Sequence, residues 1–218
     1  ASAGNAIWGS APDDVYFVGS GGSIVHYDGS GFTRRESGTD IDLQDIWGVD
    51  AERIWVVGFE SLKGAVFLQG NGQDWRQRAT VVPPPPQIHP PDSITYIFKS
   101  VWGSNKTVSY LGSVGRIYSV YWSTSEHIPE NIWWDYSSNT GVFPPSTETI
   151  RGNAANDIFI AGSSLDMRHF NGKTWRHYSE LSGEGIWHKI ACRSNLVLAV
   201  GETYGGLSQA LIVQGTRQ

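Results

Sequence analysis

The chain has 218 residues, enough for one substantial core, with aromatics at 12 % and charged residues at only 17 %, a balance that excludes a disordered chain. A net charge of −5 without a basic cluster excludes nucleic acid as the main partner. No apolar run approaches the ~20 residues of a membrane-spanning helix, and Cys192 is the single cysteine, so neither an intrachain disulfide nor a thiolate zinc site is expected. No cofactor is expected. The opening Ala1-Ser2-Ala3 fits a trimmed export signal as well as an arbitrary boundary.

In chain order, one pattern repeats. Ile7-Trp8-Gly9 is followed by Val15-Tyr16-Phe17-Val18-Gly19, Ile46-Trp47-Gly48 by Ile54-Trp55-Val56-Val57-Gly58, and Val101-Trp102-Gly103 by Val108-Ser109-Tyr110-Leu111-Gly112. Ile150-Arg151-Gly152 precedes Ile158-Phe159-Ile160-Ala161-Gly162, and Ile190-Ala191-Cys192 precedes Val197-Leu198-Ala199-Val200-Gly201. Counted from the opening Ile or Val, the periods are 39, 55, 49 and 40. Periods near ~40–45 with four short strands per unit mark propeller blades. The expected fold is therefore all-β, a five-bladed propeller forming one domain over 1–218. Its four-stranded antiparallel blades fall at about 1–40, 41–82, 94–146, 147–182 and 183–218, the last one incomplete.

Blade one shows the plan, with strands at Ala6–Gly9, Val15–Gly19, Ser23–Asp28 and Phe32–Glu36 separated by Pro12-Asp13-Asp14, Gly21-Gly22 and Asp28-Gly29-Ser30-Gly31, all good turn chemistry. The glycines of Gly19–Ser23 read as a hairpin turn, since no helix or lysine follows them to make a phosphate cradle. Blade two ends near Thr80, and Pro83–Pro91 then forms an extended polyproline excursion. A second insertion, Ser137–Ser146, follows blade three.

The Ile-Trp-Gly and Val-Tyr-x-Val-Gly strings with His26-Tyr27-Asp28-Gly29 resemble a family of bacterial propeller repeats found in secreted proteins and lipoproteins. They are more distantly similar to photosystem II assembly-factor propellers. Asn171-Gly172-Lys173-Thr174-Trp175, echoed at Asn71–Trp75 and Asp28–Phe32, resembles the Asp-box repeat of sialidases without its opening serine and aspartate. The resemblance implies a propeller and a binding module, and carries over no catalytic residue.

Two regions are candidate sites. Just before the repeated Ile or Val come Asn5, Gln44, Asp45, Lys99, Glu148, His188 and Lys189, with Arg151 where the repeat has tryptophan. Strand alternation places them around a channel mouth, as a set able to bind a small polar ligand. The long connections Glu60–Gly64, Thr80–Ser93, Ser137–Ser146 and Glu202–Gln209 fall on one face, Ser123–Asn131 being the exception, and binding surfaces evolve on such faces of rigid scaffolds. Phe59, Pro85, His89, Phe143, Trp187 and Tyr204 are the partner-contact candidates of this insertion face. Trp8, Trp47 and Trp102 recur at one repeat position and are expected between blades rather than on sugars. The function read from this is a non-catalytic interaction or scaffold module with a protein partner, outside the cell, in the periplasm or on the cell surface. A glycan ligand is the alternative, and a glycoside hydrolase using carboxylates such as Glu148 and Asp45 is a third reading.

Overall fold

The computed structural model describes residues 4–60, 63–81, 98–104, 107–111, 117–121, 133–134 and 147–216. They divide into two compact units, Ala1–Val101 and Trp102–Gln218. Among them no helix is long and apolar enough to cross a membrane.

In the first unit, β1 (Gly4–Ala11), β2 (Asp14–Gly19), β3 (Ser23–Tyr27) and β4 (Phe32–Arg35) form one antiparallel blade in chain order. β5 (Leu43–Asp50), β6 (Arg53–Glu60), β7 (Gly64–Gly70) and β8 (Trp75–Val81) form the next. Alternation sends Tyr16, Val18 and Ile24 to one face of the first blade. There they meet Leu43, Ile46, Ile54, Val56, Val66 and Leu68 from the facing side of the second, with Trp8 and Trp75 at the margin. Burying each such aliphatic side chain stabilises by ~1.5–3 kcal/mol, so this sandwich of faces is the core of the unit.

The third blade starts with β9 (Ser100–Gly103), whose first two residues close the first unit, and continues with β10 (Thr107–Leu111), β11 (Ile117–Tyr121) and β12 (Trp133–Trp134). In the second unit the fourth blade is β13 (Thr147–Ala154), β14 (Asp157–Gly162), β15 (Met167–Phe170) and β16 (Trp175–His177). Phe159, Ala161, Leu165 and Met167 pack there on Trp187, Ile190, Val197 and Ala199 of a last sheet. That sheet holds β17 (Gly185–Arg193), β18 (Leu196–Thr203) and β19 (Ala210–Thr216) and has three strands. Five blades are expected from the repeat. Among the described residues the structure has four blades of four strands, and the fifth unit of the sequence is this sheet, with three described strands.

The repeated Trp-Gly pair has a steric reason. A Cβ on Gly48 would fall 2.5 Å from the Trp8 indole, and one on Gly152 would fall 2.9 Å from that of Trp102. Each indole thus lies flat in the gap left by a glycine of the following blade, as expected for Trp8 and Trp102.

The Asp-box-like segments are turns. Asp28 Oδ1 accepts from the backbone N–H groups of Ser30 and Gly31, Asn71 Oδ1 from Gln73 and Asp74, and Asn171 Oδ1 from Lys173 and Thr174, all within 3.0 Å. The glycine after each acceptor has φ between +85° and +90°, a conformation that side chains disfavour. The Ser30 hydroxyl above all, with the N–H groups of Ser30 and Gly31, holds the Asp28 carboxyl down to about 2.

Candidate functional site

The polar set before the repeated Ile or Val has a common structural origin. The register of the first two strands slips between Gly4 and Ala6, Leu43 and Asp45, Thr147 and Thr149, and Trp187 and Lys189. A β-bulge inserts one residue that has no partner across the ladder, and those residues are Asn5, Gln44, Glu148 and His188. Their polarity suits an extra residue turned out of the pleat. Asn5 donates its amide to Leu43 O at 2.8 Å, Gln44 donates to Phe59 O at 3.4 Å, and His188 Nε2 meets Glu202 Oε1 at 3.2 Å across its own sheet. Lys99, Glu148 and Lys189 are half-buried.

Asp45 is a correction to the mouth reading. It is fully buried, and its Oδ2 accepts from the Ser100 hydroxyl at 2.5 Å and from Val101 N–H at 3.0 Å. In the second unit Thr149 Oγ1, at the same repeat position and also buried, accepts from Ile190 N–H at 3.4 Å. This position ties one inner strand to the opening Ile or Val of the next. Its polarity serves sheet-to-sheet hydrogen bonding, so Asp45 is not a solvent-facing ligand or catalytic carboxylate. Arg151 is half-buried, donates to Ile150 O at 2.7 Å and lies near enough to Cys192 for its charge to act on the thiol. Burial still pushes that thiol up to about 12, far from the thiolate that reacts near neutral pH.

On the insertion face Trp187 is the second correction. Its side chain is 1 % exposed, and its indole N–H donates to Leu165 O at 2.9 Å. Leu165 sits in a turn with Ser164 at φ 51° and 58°, which aims that carbonyl at the indole, so Trp187 is core. Phe59 is half-buried. Tyr204 is 49 % exposed on the Glu202–Gln209 loop, and Leu207 beside it, which the sequence reading did not single out, is 89 % exposed. Pro85, His89 and Phe143 lie outside the described residues. No group of His, Cys, Asp or Glu among the described residues could hold a metal ion.

A cavity was also missed. In the first unit the Tyr16 ring stacks on His26 at 4.3 Å, and His26 Nε2 meets Asp14 Oδ1 at 2.8 Å. The Tyr16 hydroxyl donates to Gly72 O at 3.1 Å, and the Trp75 indole stands edge-on at 6.0 Å. Burial first, then the Asp14 charge, pushes the Tyr16 phenol up to about 12. In the second unit Phe159 stacks on His169 at 4.1 Å, and His169 Nε2 meets Asp157 Oδ1 at 2.8 Å. Burial, with the Arg176 charge behind it, holds His169 below the ordinary imidazole range. Beside Phe159 a cavity of about 370 Å³ opens, with His169, Arg176, Tyr178, Val213 and Gly215 on its walls. The guanidinium of Arg176 lies 4.7 Å from the Tyr178 ring centre. One sequence signal pointed here: Val213-Gln214-Gly215 repeats Leu68-Gln69-Gly70.

No family model matches the chain, and no curated protein matches it. Among solved structures it is similar to YCF48 from Cyanidioschyzon merolae, with 14 % identity, 97 % of this chain and 71 % of that chain covered, and a TM-score of 0.60. It is also similar to the computationally designed Ika8 protein, at 11 % identity over 92 % of this chain and 57 % of that one, with a TM-score of 0.56. YCF48 bound to D1 peptide aligns at 12 % identity over 100 % and 94 % of the two chains, with a TM-score of 0.41. At such identities the likeness shows the fold: an all-β propeller with four-stranded antiparallel blades. The distant similarity to photosystem II assembly-factor propellers is thus found at the level of fold.

Proposed function

We propose that this chain is a non-catalytic propeller module that binds a protein partner, of the secreted bacterial repeat type its strings resemble. It is exported and held in a cell-surface or envelope assembly. In this reading residues 1–218 form one domain, and the three-stranded sheet is its fifth blade. The observation that carries the proposal is the Glu202–Gln209 loop. Tyr204 and Leu207 stand exposed there, while Thr203 N–H to Gln209 O at 3.0 Å and Tyr204 N–H to Glu184 O at 2.9 Å fix the loop at its base. An aromatic and an aliphatic side chain held out on an anchored loop are suited to contact at little ordering cost. The buried polar groups Asp45 and Thr149 are engaged with backbone instead.

The test is capture of partners from the source organism's envelope with three proteins: the parent, Tyr204→Ala/Leu207→Ser, and a deletion of Pro83–Pro91. Loss of a partner by the double variant at unchanged Tm is the expected result. Retention of every partner by both altered proteins would end the proposal. A glycan array read with His188→Ala covers the lectin alternative, Trp187 being unsuitable because it is buried. Turnover of chromogenic glycosides would replace the module by an enzyme.

A further inference from the structure

The three turns that resemble Asp-boxes differ in one chemical group. Blade one has Asp28-Gly29 between its third and fourth strands, while the second and fourth blades have Asn71-Gly72 and Asn171-Gly172. The fold imposes both halves of the pair. The first residue must offer an oxygen to two backbone N–H groups that follow it. The second has positive φ, and a Cβ there would fall 2.8 Å from Ala51 O at Gly72 and 2.6 Å from Asn156 Cβ at Gly172, so only glycine fits. Asparagine before glycine is also the pair in which the next backbone nitrogen reaches the side-chain amide most easily, because no side chain shields that nitrogen.

The cradle favours the charge that such an attack creates. When the glycine nitrogen bonds to Cγ, negative charge gathers on Oδ1. At Asn171 that oxygen already receives Lys173 N–H at 3.0 Å, Thr174 N–H at 2.9 Å and the Thr174 hydroxyl at 3.4 Å. Donors fixed where charge develops lower a barrier without reorganisation. Blade one shows how the same seat treats a full negative charge: the Ser30 hydroxyl and two N–H groups hold the Asp28 carboxyl down to about 2. Asn171 and Gly172 are exposed, and the Gly172 N–H meets no acceptor among the described residues, so water and hydroxide reach it. Gly72 is buried instead, and its carbonyl is held by the Tyr16 hydroxyl at 3.1 Å. A carboxylate at position 171 would adjoin the Lys173 cation, whereas one at position 71 would adjoin Asp74.

We infer that Asn171, and more slowly Asn71, is a self-modification site that converts to aspartate in the folded protein. Hydroxide takes the Gly172 N–H proton as the nitrogen bonds to Asn171 Cγ, and the tetrahedral carbon expels its amide nitrogen, protonated, as ammonia. Water then adds to the Cγ of the cyclic imide, the Cγ–N bond breaks, and the glycine nitrogen recovers a proton. The net change is one water consumed and one ammonia released. Addition at Cγ again places the charge on the cradled oxygen, so the ordinary aspartate and its turn are restored, as in blade one. Each conversion adds one negative charge, which carries the net charge from −5 to −6 after Asn171 and −7 after both. This site is independent of the Glu202–Gln209 loop and of the partner proposed for it.

The experiment follows the intact protein at pH 8 and 37 °C by peptide mapping with mass spectrometry, beside the same chain held unfolded in guanidinium chloride. In the folded protein the peptide containing Asn171 should turn acidic first and the one containing Asn71 severalfold later, while in the denaturant the two should react at closely similar rates. The folded product at position 171 should be aspartate in excess of isoaspartate. Asn171→Asp should keep the parent Tm at pH 7, and Asn171→Gln should abolish the conversion of its peptide. The inference fails if Asn171 reacts only in the denaturant, if Asn71 keeps pace with it in the fold, or if isoaspartate dominates. A fall in the Tm of Asn171→Asp would overturn it as well, since the product would then not fit its cradle.

Discussion

In Ala1–Val101 the Tyr16 ring lies on His26, which bonds Asp14; in Trp102–Gln218 the Phe159 ring lies on His169, which bonds Asp157. The two stacks are made by the same strands of the repeat, with centroid spacings of 4.3 and 4.1 Å. They differ in what covers them. Tyr16 is closed over by Gly72 O and Trp75 from the outer part of the following blade, whereas Phe159 borders a cavity. In the first unit Trp75, which opens the fourth strand of the next sheet, is part of that lid.

Breaking the shared framework should cost most at Asp45. Asp45→Ala leaves the Ser100 hydroxyl and Val101 N–H buried without their acceptor, at about 3 kcal/mol. The matching Thr149→Val change removes one long bond of 3.4 Å and should cost about 1 kcal/mol or less. Thermal unfolding of both variants reads the difference. Next comes the indole seat. Gly70→Ala drives a methyl into the Trp75 ring and should destabilise by about 2 kcal/mol, while Gly215→Ala should stay within about 0.5 kcal/mol. Equal effects would abolish the contrast between a glycine under an indole and one whose Cβ position is open.

Alkaline pH sharpens the comparison further. The Tyr16 phenol is pushed up to about 12 in the fold, against ~10 in an unfolded chain. Between those values the unfolded state has lost the proton that the folded state keeps, so stability falls as pH rises from ~10 to ~12. Allowing for solvent screening, the loss should reach about 1–2 kcal/mol. Denaturation midpoints at pH 9 and pH 11 should separate for the parent and converge for Tyr16→Phe.

The repeat made most of the architecture legible. Paired Trp-Gly and Val-x-Val-Gly strings are local, and each blade's packing face is written in its own alternation, so the inner strands are found near their expected places. The bulges were visible only as polarity. A row of Asn5, Gln44, Glu148 and His188 looks alike whether it faces a ligand or merely sits out of register, and spacing cannot tell the two apart. Asp45 was misread because its partners, Ser100 and Val101, are more than 50 positions away. Trp187 was misread because it breaks the repeat, and the carbonyl that holds it comes from a left-handed turn at Leu165. Gly215 was in plain view, yet a glycine matters here only through what lies opposite it in another strand.

The smallest expected effects test the comparison most directly, because they exchange the two rings. Tyr16→Phe removes a buried hydroxyl and leaves Gly72 O without its donor, a loss of about 1 kcal/mol, or about 2–4 °C in Tm for a chain of this length. Phe159→Tyr adds a hydroxyl where a cavity offers room and water can meet it, so the change should lie within about 0.5 kcal/mol. A lid like that of the first unit, already present over Phe159, would instead make the added hydroxyl overpack by about 1–3 kcal/mol. The sign and size of this one substitution therefore report whether the second stack stands open.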